Sequence, residues 1–397
     1  MTTPQSATSG DSAVPRGYRR TDLGLLPVDW TVSRIDEHAS ITTGSKNTQD
    51  AIPDGMYPFF VRSQQIERIN SYSYDGEAVL TAGDGVGTGK VFHYIVGRFD
   101  VHQRVYRIAA FSDRLHGRYF FYQFSSRFFD RIMSMTAKSS VDSVRMEMIA
   151  GMKIPLPSIP EQRAIAEALS DADKLLSGLD TLIAKKQAIK QAAMQQLLTG
   201  KTRLPGFTDK WAHVRLRDLL SYERPDCYFV RDTTYPEHGD IPVLTANKSF
   251  ILGYTTETFG ICRDLPVIVF DDFTTASRYV DFPFKVKSSA IKLLRPKHAQ
   301  IDLRFLSERM QLLPFSIGDH KRYYISEYQL IELAVPEYPE QQAIAGVLCN
   351  MDSEIAALQR QQQKAEAIKQ GMMQHLLTGR IRLIKPKEPT AERRTPS

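Results

Sequence analysis

The chain has 397 residues, of which 42% are apolar and 24% charged, and its formal net charge is +6. This length predicts two or three domains with a large buried core. Its three distant cysteines argue against a disulfide framework and a Cys-x-x-Cys zinc site. With no run of 18 apolar residues and no signal-peptide pattern, we expect a cytoplasmic protein.

The positive charge is too thinly spread to establish nucleic-acid binding by itself. Residues 16–159 carry 18 basic and 15 acidic side chains, whereas residues 205–338 carry 17 basic and 18 acidic ones. Electrostatics alone therefore leaves both a DNA-binding and a protein-binding interpretation open.

The N-terminal part of the chain is predicted to be a tail followed by a mixed body. Residues 1–20 are small and polar and predict disorder. Residues 21–157 form the first body, with β-type runs at 78–81 and 91–95 and a helix from Arg118 onward. The aromatic residues of this helix favour core packing over a base-stacking platform, because they occupy neighbouring positions far from any basic cluster.

A glycine-rich stretch, residues 83–90, lies between the two β-type runs. With Gly89 and Lys90 in place, a P-loop would need glycine at position 84 and a hydroxyl at position 91, where this chain has Asp84 and Val91. ATP binding is therefore disfavoured. Two interpretations remain: a tight turn that lets backbone approach a phosphate, and a plain hairpin turn.

A long helical region occurs twice, at residues 158–204 and 337–383. Residues 160–204 and 339–383 align without a gap at a constant shift of 179, and about half of the positions are identical. Gly200 and Gly379 are expected to end the two helices, whereas a break at residues 171–173 stays an open question.

Apolar residues recur along both helical copies at steps of four and three, which predicts a two-stranded coiled-coil seam. A polar stretch at residues 361–363 interrupts the second copy. The predicted seam residues are Ile165, Leu169, Leu176, Leu179, Ile183, Ile344, Leu348, Ile355, Leu358 and Ile368.

The second body spans residues 205–336, and residues 384–397 predict a disordered tail. β-type runs occur at 267–270 and 290–294, and a helix is predicted from Leu303 onward. Asp271 and Asp272 have no third carboxylate or histidine nearby, so a turn or base-facing acceptors are favoured over a metal site. No metal site is predicted.

The repeat predicts an α+β fold: two mixed α/β domains separated by an antiparallel coiled coil of two long helices, with an internal pseudo-two-fold repeat. Each helix is too apolar on one side to stand alone in water, and mutual packing is the economical solution. About 30 helical residues give a rod of roughly 45 Å, comparable with the ~34–36 Å turn of duplex DNA.

At these residues the chain resembles a known family, the specificity subunits of type I restriction-modification systems. The resemblance rests on the Pro-Glu-Gln opening and Leu-Leu-Thr-Gly close of each helical copy, and it covers most of residues 20–383. It implies two target-recognition domains that read an asymmetric split site on double-stranded DNA. It also implies docking of two methyltransferase subunits and of nuclease-motor restriction subunits. Those partners would use S-adenosylmethionine, ATP and Mg, and this chain would bind no cofactor.

The resemblance turns polar residues of both bodies into candidate DNA contacts, against the alternative of ordinary surface charge. Those of the first body are Lys46, Arg62, Gln64, Gly87, Thr88, Lys90, His102, Gln103, Arg104, Lys138, Ser139 and Arg145. Those of the second body are Lys248, Thr274, Thr275, Arg278, Lys287, Ser288, Lys321, Arg322 and Tyr323.

No methyltransferase, nuclease or helicase motif is present, so no catalytic residue is predicted. The chain is expected to direct an enzyme complex without being an enzyme itself. Two alternatives stay open. One is a structural spacer whose end domains bind proteins, and the other is a similar subunit of a methylation-only system.

Overall fold

The structure is a computed structural model that describes residues 14–135, 143–246, 249–316 and 321–384. Its contacts divide the chain into two units. The first unit contains the described residues up to Gly178 together with those from Gln362 onward, and the second unit is Leu179–Gln361. Each unit therefore combines one body with the first part of one long helix and the last part of the other.

The first body is built from ten strands and two helices, with short 3-10 turns at Ile35–Glu37 and Thr48–Asp50. The strands are β1 (Tyr18–Thr21), β2 (Gly24–Pro27), β3 (Thr31–Arg34), β4 (Ser40–Thr43), β5 (Tyr57–Phe60), β6 (Glu67–Ile69), β7 (Tyr74–Ala82), β8 (Phe92–Val101), β9 (Val105–Ala109) and β10 (Lys153–Leu156). The helices are α1 (Gly117–Met135) and α2 (Met146–Ala150).

A six-stranded sheet in the order β4-β9-β7-β8-β5-β6 forms the centre of the first body. Its pairs are antiparallel except β5 and β8, which run parallel. The longest ladder joins β7 to β8 from Tyr74 opposite Phe99 to Thr81 opposite Phe92. This ladder positions the glycine-rich stretch, because that stretch connects the two strands.

The aromatic residues of α1 form the core of the first body. Phe120, Phe124 and Phe128 are fully buried, and the Phe124 and Phe128 rings are 4.4 Å apart. Phe92 of β8 contacts Phe124 edge-on, with ring centroids 5.5 Å apart. The prediction of core packing for these aromatic residues is confirmed, and the stacking-platform alternative is wrong.

The second body is built from nine strands, two short helices and 3-10 turns at Pro225–Tyr228 and Tyr328–Leu330. The strands are β11 (Ala212–Arg215), β12 (Leu220–Glu223), β13 (Ile241–Leu244), β14 (Ile251–Thr255), β15 (Val267–Asp271), β16 (Ser277–Val280), β17 (Lys285–Val286), β18 (Ile291–Pro296) and β19 (Glu332–Val335). The short helices are α4 (Leu216–Leu219) and α5 (Leu303–Met310); the long ones are α3 (Ile159–Leu197) and α6 (Tyr338–Leu376).

The second body has a four-stranded sheet in the order β12-β18-β15-β16 and a three-stranded sheet in the order β14-β13-β17. Its first and last strands, β11 and β19, pair with each other, as β3 and β10 do in the first body. In both bodies, a strand near the start therefore pairs with the last strand, while the central sheets differ.

Both long helices run without a break, which settles the open question at residues 171–173. Gly200 and Gly379, with φ of 72° and 69°, follow the helix ends as expected. Within the first unit Lys369 pairs with Asp173 at 2.5 Å, and Arg382 pairs with Glu161. A later residue on the first segment thus contacts an earlier residue on the second, so the two segments run antiparallel.

The second unit shows the same antiparallel contact, and its Lys190–Asp352 pair is the Lys369–Asp173 pair at the shift of 179 residues. Lys190 pairs with Asp352 at 2.7 Å, and Lys186 with Glu354 at 2.6 Å. The α+β class and the antiparallel contact between the two long helices are therefore confirmed inside each unit.

Most of the predicted seam residues are buried or half-buried, but Ile368 is 53% exposed, so its assignment to the seam is wrong. The half-buried positions Gln362, Ala365, Lys369 and Met372 continue the steps from Ile355 and Leu358 instead. The spacing of the seam positions is therefore unchanged across the polar stretch. The prediction placed the seam one residue too early after that stretch, at Ile368 instead of Lys369.

The predicted N-terminal tail is too long. Residues 18–20, assigned to a disordered segment, belong to strand β1, which pairs with β2. Tyr18 also donates a hydrogen bond to the Gly379 carbonyl at 2.8 Å. In the described part of the chain, no helix is long and apolar enough to span a membrane.

Candidate nucleic-acid interface

The connection between β7 and β8, residues 83–91, is a firmly held hairpin loop that we call the glycine loop. Gly83 N–H donates to the Arg104 carbonyl at 2.8 Å, and the Thr88 hydroxyl donates to the Gly85 carbonyl at 2.6 Å. A Cβ atom at Gly87 would lie 2.5 Å from the Arg62 carbonyl oxygen. Only glycine allows this close approach, so the loop packs directly against the backbone of Arg62.

Two arginines converge on Asp84 at the base of the glycine loop. Arg62 Nη1 lies 2.8 Å from one Asp84 oxygen, and Arg104 Nη1 lies 3.6 Å from the other. The side chains are 44% and 63% exposed, so these pairs add little stability. Their effect is to hold two guanidinium groups side by side at the surface, where they can bind phosphate oxygens or guanine edges.

His102 shapes the turn that carries Gln103 and Arg104. Its Nδ1 accepts a hydrogen bond from Arg104 N–H at 2.9 Å, and the residue is only 4% exposed. Burial lowers the pKa of His102, and the neighbouring Arg62 guanidinium lowers that pKa further. The ring is therefore neutral at pH 7 and supports the turn, rather than presenting a free edge to a ligand.

The turn after β8 lies against the segment that follows β4. Gln103 N–H donates to the Lys46 carbonyl at 2.8 Å, and the Gln103 side chain donates to Asn47. Gln103 is exposed and Lys46 is half-buried. The two residues thus lie together beside Arg104.

A third segment adds Arg145 to this face. Val144 N–H donates to the Gly83 carbonyl at 2.7 Å, and the Tyr106 hydroxyl donates to the Val144 carbonyl at 3.0 Å. Arg145 is exposed and follows directly. We call the exposed residues Arg62, Gln103, Arg104 and Arg145, together with Lys46, the first polar face.

The remaining candidates of the first body are placed differently. Thr88 is 4% exposed and serves the loop, and Lys90 is exposed with its ammonium 5.9 Å from the Phe129 ring. Gln64 is exposed two residues beyond Arg62. Lys138 and Ser139 lie outside the described residues.

In the second body the corresponding feature is the turn between β15 and β16. Asp271 accepts a hydrogen bond from Phe273 N–H at 3.0 Å, and its other oxygen accepts one from the Thr274 hydroxyl. Thr275 has φ of 57°, and Thr274 is exposed. Asp271 therefore stabilises this turn through hydrogen bonds to the turn residues, in agreement with the predicted turn.

Asp272 has a separate structural task. Its Oδ1 accepts a hydrogen bond from Tyr324 N–H at 2.8 Å, and Lys292 Nζ lies 3.5 Å from its Oδ2. Tyr323 N–H donates to the Asp272 carbonyl at 2.9 Å. Among the described residues no group of three or more His, Cys, Asp or Glu side chains could hold a metal ion. The two aspartates instead shape the turn and anchor the next segment.

Tyr323 is 1% exposed, so the structure places it in the core rather than at the surface. Its ring contacts Phe315 with centroids 5.3 Å apart. The neighbouring Arg322 is exposed, and its guanidinium lies 6.0 Å from the Phe273 ring and 3.5 Å from the Ser289 hydroxyl. Burial of Tyr323 thus anchors the segment that carries Arg322 to the hairpin turn.

Arg278 and Lys287 complete the charged groups of the second body's surface. Arg278 lies over the Phe250 ring at 4.8 Å, and Lys287 lies 5.7 Å from the Tyr235 ring. A cavity of about 270 Å³ is lined by Arg278, Thr274 and Phe250, among others. We call Thr274, Arg278, Lys287 and Arg322 the second polar face.

The last candidates of the second body lie at the margin of this face. Ser288 is half-buried and accepts a hydrogen bond from Ala290 N–H, and exposed Lys321 pairs with Glu327 at 2.5 Å. Lys248 is outside the described residues.

A cluster of Trp, Glu and Arg, which we call the helix joint, occurs in each unit. In the first unit Glu161 is 1% exposed and accepts hydrogen bonds from Trp30 Nε1 at 3.2 Å and Arg382 Nη2 at 2.8 Å. Arg382 also pairs with Asp29 at 2.7 Å. The joint ties the start of α3 to the body and to the segment after α6.

The second unit repeats the helix joint with Glu340, Trp211 and Arg203. Glu340 accepts hydrogen bonds from Trp211 Nε1 at 3.1 Å and from Arg203 Nη2 at 2.6 Å. The local sequence around these residues predicts no role for them. Their identity between the two repeats was the signal that could have revealed one.

Comparisons with known proteins agree with this architecture. Residues 27–191 match the family model of the type I restriction modification DNA specificity domain. The EcoR124I/EcoR124II specificity subunit of Escherichia coli is 44% identical over 144 residues, which are 34% of this chain and 35% of that protein. The MjaVIII specificity subunit of Methanocaldococcus jannaschii is 23% identical over 406 residues, 90% of this chain and 94% of that protein.

A crystal structure of the S subunit of a type I restriction-modification system from M. genitalium has the same fold. It superposes with a TM-score of 0.68 at 17% sequence identity, covering 87% of this chain and 96% of that one. Residues 27–191 belong to the type I restriction modification DNA specificity domain, and the chain over most of its length is similar to type I specificity subunits. The alignments to the EcoR124I/EcoR124II and EcoDI specificity subunits of E. coli span only about a third of those proteins, 35% and 36%.

The chain combines a constant framework with two different surfaces. The Trp, Glu and Arg of the helix joint recur in both units, whereas the first polar face surrounds a glycine loop and the second surrounds a threonine-rich turn. Each face presents exposed arginines beside a tight turn. Such groups bind phosphates and base edges, and their different arrangements suit different sequences.

Proposed function

We propose that this chain is the DNA-recognition subunit of a type I restriction-modification complex. In this proposal, the first and second polar faces each read one half of an asymmetric split site on duplex DNA. The chain docks two methyltransferase subunits, and restriction subunits join them. It contributes recognition and no catalysis, while S-adenosylmethionine, ATP and Mg serve the partner subunits.

The observation that carries the proposal is the arrangement of Arg62 and Arg104 at the glycine loop. Both guanidinium groups are held by Asp84, yet both remain largely exposed. Arginine side chains commonly bind guanine O6 and N7, or phosphate oxygens, through two parallel hydrogen bonds. Because the whole chain is only modestly basic, binding would depend on such local groups rather than on overall charge.

Arg62→Ala should weaken specific DNA binding by the assembled complex about tenfold, the value of one good arginine contact. The matched control is Arg98→Ala, because Arg98 is also an exposed arginine of the first body paired with an aspartate, Asp75. The site would first be identified by methylome sequencing of cells that express the complex. Affinity would then be measured on that site and on a random duplex at several salt concentrations.

Two results would contradict the proposal. One is a tagged chain that purifies without a methyltransferase subunit when the two are co-expressed. The other is a complex that binds its methylated site no better than a random duplex. Equal losses in the Arg62 and Arg98 variants would contradict only the placement of the first polar face.

A further inference from the structure

The tip of the glycine loop carries an apolar side chain that the proposed function does not yet use. Val86 is 97% exposed, the highest value among the large apolar side chains of the described residues. A single exposed valine is ordinary on a protein surface. The position of Val86 is not ordinary, because it lies between Gly85 and Gly87 in a loop whose base holds Arg62 and Arg104.

The loop holds Val86 in a fixed place. Thr88 N–H and the Thr88 hydroxyl both donate to the Gly85 carbonyl, at 3.1 and 2.6 Å. Just beyond the tip, Val91 N–H donates to the Gly87 carbonyl at 2.9 Å, and Gly87 packs on the Arg62 backbone. A side chain presented in this way loses little conformational entropy on binding, so its contact contributes to affinity almost in full.

Chemistry limits what Val86 can recognise. Its isopropyl group cannot hydrogen-bond to phosphates or base edges, and valine is not among the residues that typically wedge between base steps. The one apolar group that DNA offers in the major groove is the C5-methyl of thymine. With Arg62 and Arg104 bound to the backbone or to guanine, the loop tip would project toward the base edges between them.

We propose that Val86 is a specificity-determining residue that recognises the methyl group of one thymine in the half-site read by the first body. This inference rests on the proposed DNA-binding function. The inference adds one chemical requirement to the proposed function. The half-site must have an A·T pair at a fixed position, and an apolar contact distinguishes this pair from G·C.

The test replaces thymines of the first half-site one at a time by deoxyuridine, which lacks only the C5-methyl. The assembled wild-type complex should lose about fourfold in affinity at one position, the value of one buried methylene-sized group. The Val86→Ala complex should bind thymine and deoxyuridine at that position equally. Val96→Ala is the matched control, because Val96 is 63% exposed on β8 of the same body and paired with Glu77.

The outcomes separate this inference from the proposed function. If no deoxyuridine substitution affects the wild-type complex, or if Val86→Ala still senses it, the role of Val86 is refuted. Specific binding that depends on Arg62 would then leave the proposed function intact. A complex without preference for its methylated site would instead refute the proposed function. Val86 has almost no buried surface, so its replacement does not put folding at risk.

Discussion

At the scale of single residues, the most informative side chains are the charged groups of the helix joint, which connect distant segments of the chain. Glu161 is buried, and it is compensated by one tryptophan and one arginine that are 131 and 221 residues away in sequence. Hydrogen bonding to Glu161 raises the pKa of Arg382 above its ordinary value. A buried carboxylate requires such partners, so the joint defines which segments must come together.

Arg382→Ala should destabilise the chain by about 3 kcal/mol, because it leaves a buried carboxylate without its cation. Denaturant unfolding of the full chain would measure the loss. The control is Arg380→Ala, since Arg380 is exposed two residues away on the same segment. Removing the charge as well, in Glu161→Gln with Arg382→Ala, should recover part of the stability. Equal effects of the Arg380 and Arg382 substitutions would show that the joint is not a stabilising contact.

Sequence predicted the residue types of the candidate site better than their exposure. Arg62, Gln103, Arg104 and Arg322 are at the surface, but Thr88 and Tyr323 are buried supports. Local sequence cannot separate these cases, because burial depends on segments far away in the chain. Tyr323, for example, is held through the carbonyl of Asp272.

At the scale of elements, the long helices were predictable because their apolar patterns are long, whereas only parts of the longest strands, β7 and β8, were predicted. Helix α5 begins at Leu303 as expected, and both long helices were found from the repeat. Short strands such as β1 carry too few residues to show a pattern, which explains why it was assigned to the tail. The misplaced Ile368 has a related cause: a polar stretch removes the apolar residues that fix the register.

Glu308 of α5 is a buried carboxylate that faces two helical segments of its unit. Its side chain is 9% exposed and lies 3.8 Å from Lys190. Asp352 is the nearer partner of Lys190 at 2.7 Å, and it also pairs with Arg304 at 3.4 Å. Burial raises the pKa of Glu308, although the Lys190 ammonium opposes that rise. Ionised Glu308 is therefore a net cost to the fold.

Glu308→Gln should raise the unfolding midpoint at pH 8. The folded-state pKa of Glu308 lies above the unfolded value of 4.5, so the folded chain binds the extra proton. The cost of ionisation is fully present above the folded pKa, and it disappears as the pH falls below the unfolded one. Unfolding midpoints from about pH 4 to pH 8 would show the benefit of glutamine growing with pH. Exposed Glu366→Gln is the control, and a pH-independent difference would contradict this account.

At the scale of the whole molecule, duplication and divergence act on different parts of the chain. One ion pair of the long helices recurs at the constant shift, as Asp173 with Lys369 and as Asp352 with Lys190. The central sheets differ in strand order, and the turns they carry differ in sequence. Framework residues are therefore constrained by each other, whereas the surface turns are free to vary one body at a time.

This separation predicts that one body can be exchanged without affecting the other. Residues 212–336 would be replaced by the matching segment of another specificity subunit, which keeps Arg203, Trp211 and Glu340 of the second helix joint. We expect methylome sequencing to show a new sequence in one half of the split site and an unchanged other half. The reciprocal exchange of residues 31–157, which keeps Trp30 and Glu161, should change the opposite half. If either chimera methylated DNA with both half-sites altered, the two bodies would not read DNA independently, and the division into framework and reading surface would fail.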